Sequence, residues 1–373
     1  MELQVGPRKI LISDTGLEMY LASTHGGSVA VKSVKKLGEG FHNAGFLLSF
    51  EVEGAERHLV MRVMRGDTGW GHDYLGDRAG SLLLQHQLLN SAPSGTPSRS
   101  VDVASIDSRG RIISVGDSVE FIHLVEEITE KHGTPYVDDF FRMAKERTHT
   151  ERDLRRCRAA ARYLASLHSN KHSDSILYRR HVRDLIGHGE MLMGVADTYP
   201  PFEELDFITP KEMEKIEVAA VRWRNRIKSM SHRLSRIHGD FHPFGNIRFD
   251  QQDSLVVSDF SREEFGEPAD DVSSLTINYI FFSVWHFGEF KDPFKQLFRE
   301  FFDTYMKESQ DQDILNVIAP FYAFRGLVVI HPLYYPEMER AKRRMMLNFI
   351  HNSMSAETFE LDKVEDYLTA EAN

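Results

Sequence analysis

The sequence predicts an α+β chain of two lobes, a small antiparallel β-sheet lobe over residues 1–125 and a larger, mainly helical lobe over 126–373. Three features lead there. The chain has 373 residues, beyond the roughly 100–200 of a usual domain, so two compact parts with ample core are expected. Up to about residue 125 the apolar runs are short, β-branched or aromatic, and punctuated by glycine. Beyond that point apolar residues recur at helical spacing.

In the first lobe, Val29 to Leu37, Phe46 to Val52 and His58 to Val63 read as strands separated by Gly38-Glu39-Gly40 and Glu53-Gly54, an antiparallel meander. Arg78 to Leu89 carries helix formers and is stopped by Pro93, Gly95 and Pro97. Arg111 to Val115 and Val119 to Val125 complete the lobe as further strands, giving one helix between sheet segments. In the second lobe, Thr150-Glu-Arg-Asp153 has the form of a capping box ahead of Leu154, Cys157, Ala161, Leu164 and Leu167, with the helix ending near His168. Phe294, Leu297, Phe298, Phe301 and Tyr305 lay an aromatic stripe on a second helix. Ile314 to Leu333 is apolar but interrupted by Asn316, Pro320, Arg325 and His331, which fits a bent, buried helix and not a bilayer span.

Composition narrows the function. Charged residues at 27% and aromatics at 11% describe a folded globular chain. The net charge of −11 disfavours nucleic acid as a ligand. The single cysteine, Cys157, makes no intrachain disulfide or multi-cysteine zinc site, and the opening MELQVGPRKILISD has no signal-peptide pattern. A soluble, cytoplasmic protein without a membrane partner is expected; the oligomeric state is not legible.

The chemistry-bearing stretch runs Ile237-His-Gly-Asp-Phe-His-Pro-Phe-Gly-Asn-Ile-Arg-Phe249 and then Leu255-Val-Val-Ser-Asp-Phe-Ser261. Two short strands joined by a polar turn put Asn246 and Asp259 at one end of a hairpin, with Asp240 a short loop upstream. Three oxygen-bearing side chains at one mouth suit Mg²⁺, a hard cation that shares its shell with phosphates.

HGDFHPFGN followed by SDFS resembles the catalytic and metal-binding loops of the aminoglycoside phosphotransferase and choline kinase-like family, which has a protein-kinase-like fold. The resemblance implies an ATP-dependent phosphotransferase acting on a small-molecule hydroxyl, with ATP and Mg²⁺ as cofactors. It implies Asp240 as base or hydroxyl-orienting group, His238 as a brace of the catalytic loop, and Asn246 and Asp259 as metal ligands. Gly266-Glu-Pro-Ala-Asp-Asp271 resembles the family's next run and places Asp271 in a structural role. Six positions separate Asp240 from Asn246 where the family usually has five, and Gly245 is expected to absorb the extra residue as a bulge.

The same resemblance implies that Gly38, Gly40 and Asn43 form a nucleotide-covering turn and that Arg62 stands where kinases carry the phosphate-pairing lysine. Arg78 to Leu89 contains no glutamate to partner it, so Asp73 or Asp77 substitutes. Glu126 and Glu127 fall at the hinge, where backbone groups meet the adenine edge. For the acceptor, Glu267, Asp270, Glu289 and Asp292 form a candidate acidic wall, and Tyr279, Phe282, Trp285 and Phe287 a candidate apolar pocket. Two other readings remain: a nucleotide-binding regulator without turnover, and a metal-dependent hydrolase built on His238-x-Asp240-x-His242.

Overall fold

The computed structural model describes residues 1–91 and 99–369; Pro93, Gly95 and Pro97, expected to stop a helix, lie outside the described residues. The chain is α+β and divides into two compact units, Met1–Val125 and Glu126–Asn373.

The first unit opens with a hairpin, β1 (Glu2–Val5) and β2 (Arg8–Leu11), and a helix α1 (Asp14–His25). Sequence reading passed over all three. Their signal was local: the Ser13 hydroxyl accepts the Gly16 N–H at 3.2 Å as an N-cap, and Leu17 and Leu21 follow at helical spacing. The meander follows as β3 (Val29–Glu39), β4 (Asn43–Val52) and β5 (Ala55–Met64), a three-stranded antiparallel sheet in that order. Val52 pairs with Ala55 across Glu53 and Gly54, whose φ angles of 50° and 86° make the left-handed two-residue turn that twisted hairpins prefer. Along β4, Ala44, Phe46, Leu48 and Phe50 are buried in alternation and pack with Leu17 and Leu21 of α1. A helix α2 (Leu75–Ser91) and a small hairpin, β6 (Ala104–Ile106) and β7 (Ile112–Ser114), complete the unit.

The expected strand at Val119 to Val125 is not formed; the segment is irregular, and Val119 is 100% exposed. Its apolar residues fall on both alternate faces, Phe121 and Val125 on one, Ile122 and Leu124 on the other. Such a strand needs cover on both sides, and this unit's small core provides none.

The second unit is helical, and its elements follow as β8 (Thr134–Pro135), α3 (Val137–Glu146), α4 (Glu151–His168), α5 (Ser175–Gly187), α6 (Leu192–Asp197) and α7 (Pro210–Ile227). The Asp153 carboxylate accepts from the Thr150 N–H at 2.7 Å and hydroxyl at 2.8 Å, which starts α4 where the sequence placed it. Four short strands come next: β9 (Ser235–Arg236), β10 (Ile247–Phe249), β11 (Leu255–Val257) and β12 (Phe265–Gly266). β9 pairs with β12, and β10 pairs with β11 and β8, so residues 235–266 form a pair of nested loops closed by two small sheets.

The helices α8 (Ala269–Phe287), α9 (Phe294–Ser309), α10 (Ile314–Val317), α11 (Ala319–Val329), α12 (Arg340–Ser355) and α13 (Val364–Thr369) form the bulk of the core. Every residue of α8 from Ala269 to Val284 is buried, so this helix is the hub beneath the loops. The bend expected within Ile314 to Leu333 is the break between α10 and α11, with Pro320 in the first turn of α11 where a missing N–H costs nothing. Among the described residues, no helix is long and apolar enough to cross a membrane.

Candidate active site

The loop from Ile237 to Asn246 is fastened at its base by a buried carboxylate. Asp271, in the first turn of α8, accepts the His238 N–H at 2.7 Å and the Gly239 N–H at 2.8 Å. His168 Nε2 lies 3.1 Å from the same carboxylate, and Tyr305 holds His168 Nδ1 at 2.8 Å. Burial alone pushes Asp271 up, but the bonds from His168 and from the loop N–H groups hold it below the ordinary carboxylate range. Gly239 has φ of 87°, and a Cβ there would meet the Ser261 carbonyl at 2.0 Å, so only glycine fits between His238 and Asp240.

His238 is buried and braces two loops at once. Its Nδ1 accepts the Asp240 N–H at 3.2 Å, which assigns the ring proton to Nε2, and Nε2 donates to the Ser258 carbonyl at 2.8 Å. Both nitrogens are committed. The Phe260 ring stacks on the imidazole at 4.5 Å, and Ser261 N–H bonds the His238 carbonyl at 3.0 Å.

The hairpin register, Ile247 opposite Val257, puts Asn246 and Ser258-Asp259 side by side at its open end, where Ser258 N–H bonds the Asn246 carbonyl at 3.0 Å. The Asn246 amide donates to the Asp240 carbonyl at 2.8 Å, which leaves its Oδ1 as the ligand-capable atom. Asp259 is exposed and sits at φ of 62°, a left-handed conformation that aspartate tolerates better than most residues. The backbone therefore brings Asn246 and Asp259 next to each other, and the Asn246 amide ties its own residue to the Asp240 carbonyl; among the described residues no group of three or more histidine, cysteine or acidic side chains gathers as a metal cluster. Gly245 takes no special part: it has ordinary φ, and a Cβ there meets nothing within 4 Å. It lies in the turn from Pro243 to Asn246, where the Pro243 carbonyl takes the Val137 N–H at 3.0 Å.

Two arginines that the sequence reading did not single out flank Asp240. Arg325 Nη1 donates to Asp240 Oδ1 at 2.6 Å, and Arg262 Nη1 lies 3.1 Å from the same oxygen. His242 Nε2 is 3.6 Å from Oδ2, beyond hydrogen-bond reach. Burial pushes the Asp240 carboxyl up, but the Arg325 and Arg262 guanidiniums, with a smaller contribution from His242, hold it well below the usual range. The signal for Arg325 was in view: an arginine inside an apolar helix needs a carboxylate partner.

Two of the four acids of the expected acidic wall are taken up by buried ion pairs, while Glu289 and Asp292 stay exposed. Asp270 is fully buried against Arg325 at 2.8 Å, and Glu267 is fully buried against Arg233 at 2.7 Å. Glu289 is exposed beside Lys291. Tyr279 and Phe282 are core residues of α8 with no exposure, so they line no pocket; Trp285 and Phe287 are half-buried against that core. The hydrolase triad does not assemble either, since both nitrogens of His238 are committed to the Asp240 N–H and the Ser258 carbonyl.

In the first unit, β3 runs through Gly38 to Glu39, and Gly38 pairs with Gly45 beyond a bulge at Lys36. Gly40 N–H bonds the Asn43 carbonyl at 2.9 Å, closing the turn. Arg62 is exposed on β5, opposite Gly45 on the sheet's edge strand. Asp77 caps α2 by accepting the Tyr74 N–H at 2.8 Å. Glu126 and Glu127 lie in an exposed irregular stretch at the start of the second unit.

No protein-family model and no curated protein matches the chain. Among solved structures, it is similar to the choline kinase LicA from Streptococcus pneumoniae at 12% identity and TM-score 0.34, covering 92% of this chain and 98% of that one. It is similar to the amicoumacin kinase hAmiN, in complex with AMP-PNP, Ca²⁺ and Ami, at 12% identity and TM-score 0.39, covering 89% and 91%. A glucosamine kinase follows at 16% identity and TM-score 0.37, covering 89% and 92%.

Proposed function

We propose that the chain is an ATP-dependent phosphotransferase of protein-kinase-like fold that moves a γ-phosphoryl group to the hydroxyl of a small molecule. One observation carries this reading. The backbone segments that carry Asp240, Asn246 and Asp259 are fastened to one another through His238, the Asn246 amide and Asp271. In the reaction, the acceptor oxygen bonds to the γ-phosphorus, the bond from that phosphorus to the bridging oxygen breaks with its electron pair leaving on ADP, and the hydroxyl proton is given up to Asp240. Asp240 is ionised at neutral pH and a weak base, so its first task is to accept the hydroxyl's hydrogen bond and aim its oxygen; such a group contributes about 10²–10⁴-fold.

Asn246 Oδ1 and the Asp259 carboxylate fit a hard divalent cation, and they are the residues that would hold Mg²⁺. Bound there, the ion supplies neutralisation of phosphate oxygens. The nucleotide roles of Gly38, Gly40, Asn43, Arg62, Glu126 and Glu127 belong to the same proposal. The cations beside Asp240, with Glu267 and Asp270 already neutralised, favour a neutral or anionic acceptor over a polyamine.

A thermal-shift titration with MgATP is the first test, followed by ADP release against a panel of sugars, amino-alcohols and aminoglycosides. Stabilisation with acceptor-dependent ADP release is the expected result. Stabilisation without turnover on any acceptor favours the regulator, and zinc retention without nucleotide response favours the hydrolase.

A further inference from the structure

Arg325 is the only charged residue in α11, and its side chain is 8% exposed. Burying a guanidinium in an apolar helix is costly unless carboxylates pair it, and both terminal nitrogens of Arg325 are paired although its Nε is buried without a hydrogen-bond partner among the described residues. Here the fork is divided between two carboxylates: Nη1 bonds Asp240 Oδ1 at 2.6 Å, while Nη2 bonds Asp270 Oδ1 at 2.8 Å and the Gly239 carbonyl at 3.1 Å. The Phe324 ring lies 4.6 Å beneath the guanidinium carbon. Asp270 is fully buried at the start of α8, next to the Asp271 that fastens the loop backbone. The backbone of the catalytic loop is thus held by one residue of α8, and its side chain is held by the neighbouring residue acting through Arg325.

The two carboxylate oxygens of Asp240 are thereby made unequal. Oδ1 is consumed by Arg325 and Arg262, and among the described residues the ionisable group set against Oδ2 is His242, at 3.6 Å. We propose that Arg325, anchored on Asp270, is the positioning residue of this site, fixing the Asp240 carboxylate so that Oδ2 is the atom presented to the acceptor hydroxyl. A lysine cannot do this, because a single ammonium does not span two carboxylates and a carbonyl in a planar fork. In this role Arg325 acts through Asp240, the group it bonds. The inference rests on the phosphotransferase reading.

A double-mutant cycle tests it, with ADP release from MgATP in water as the probe, so that no acceptor is needed. In the wild-type background, Arg325→Met is expected to lower kcat roughly 10²-fold with the KM for MgATP unchanged. In the Asp240→Asn background, the same substitution is expected to change kcat by less than about threefold, because the group it positions is already gone. Equal losses in the two backgrounds would mean a merely structural arginine and would overturn the proposal. Arg325→Lys and Asp270→Asn run through the same cycle keep the test intact if Arg325→Met does not fold; both are expected to lower kcat without moving KM. Failure of MgATP to stabilise the wild-type protein, or stabilisation with no ADP release either in water or on any acceptor of the panel, overturns the phosphotransferase reading itself; where release needs an acceptor, the cycle is run with that acceptor. Stabilisation and turnover with additive losses overturn only the role of Arg325.

Discussion

Asp240 and Gly239 are adjacent, yet their substitution has different consequences. Asp240→Ala removes the carboxylate proposed to aim the acceptor hydroxyl but none of the backbone bonds that hold the loop. Turnover is expected to fall at least about 10²-fold while MgATP-induced stabilisation persists, and unchanged turnover would remove Asp240 from its role. Gly239→Ala attacks the frame instead: the left-handed φ costs about 1–3 kcal/mol, and the new methyl must displace the Ser261 carbonyl that it meets at 2.0 Å. Loss of activity together with a lowered melting temperature is the expected pair of results. Loss of activity at an unchanged melting temperature contradicts this account of the loop. The glycine was legible because its residue type does something its neighbours in the chain cannot. Arg325 was legible only as an interruption, since nothing in a linear sequence shows which carboxylates a buried arginine will meet.

At the scale of elements, the segment after β11 is held by α5. Glu263 accepts from His181 Nδ1 at 2.7 Å and from Arg180 Nε at 2.9 Å. Burial pushes the His181 imidazole down, but the Glu263 carboxylate outweighs it and raises the ring to about 9. A group whose folded pKa is raised stabilises fully below its unfolded value of about 6.5 and loses that stabilisation as the pH climbs through its folded value. The melting temperature should therefore fall between about pH 6.5 and 9, and His181→Gln should flatten that decline; an equal decline in the variant argues against the pair. On the other side, Asp253 in the β10–β11 turn accepts from Arg152 Nε at 2.6 Å and Arg156 Nε at 2.9 Å of α4. Elements with one dominant period or cap were readable: β4, α4 and the α10–α11 bend. Val119 to Val125 was not, because β-branched composition says a run can extend but not whether a partner strand and a core await it.

For the molecule as a whole, the change of hydrophobic period near residue 125 falls where the chain divides into two compact units. The acceptor side was not visible. Charge counts suggested an acidic wall, whereas folding pairs Glu267 and Asp270 with arginines drawn from 34 and 55 positions away. Long-range ion pairs of this kind decide whether a carboxylate is a recognition group or a structural one.

The central claim is that the Asn246 and Asp259 end of the hairpin binds a divalent ion together with nucleotide. The most direct measurement is calorimetric titration of ATP with and without Mg²⁺, on the wild-type protein and on Asp259→Ala. The account predicts binding that Mg²⁺ strengthens in the wild type and leaves unaltered in the variant; identical Mg²⁺ dependence in both proteins would contradict it.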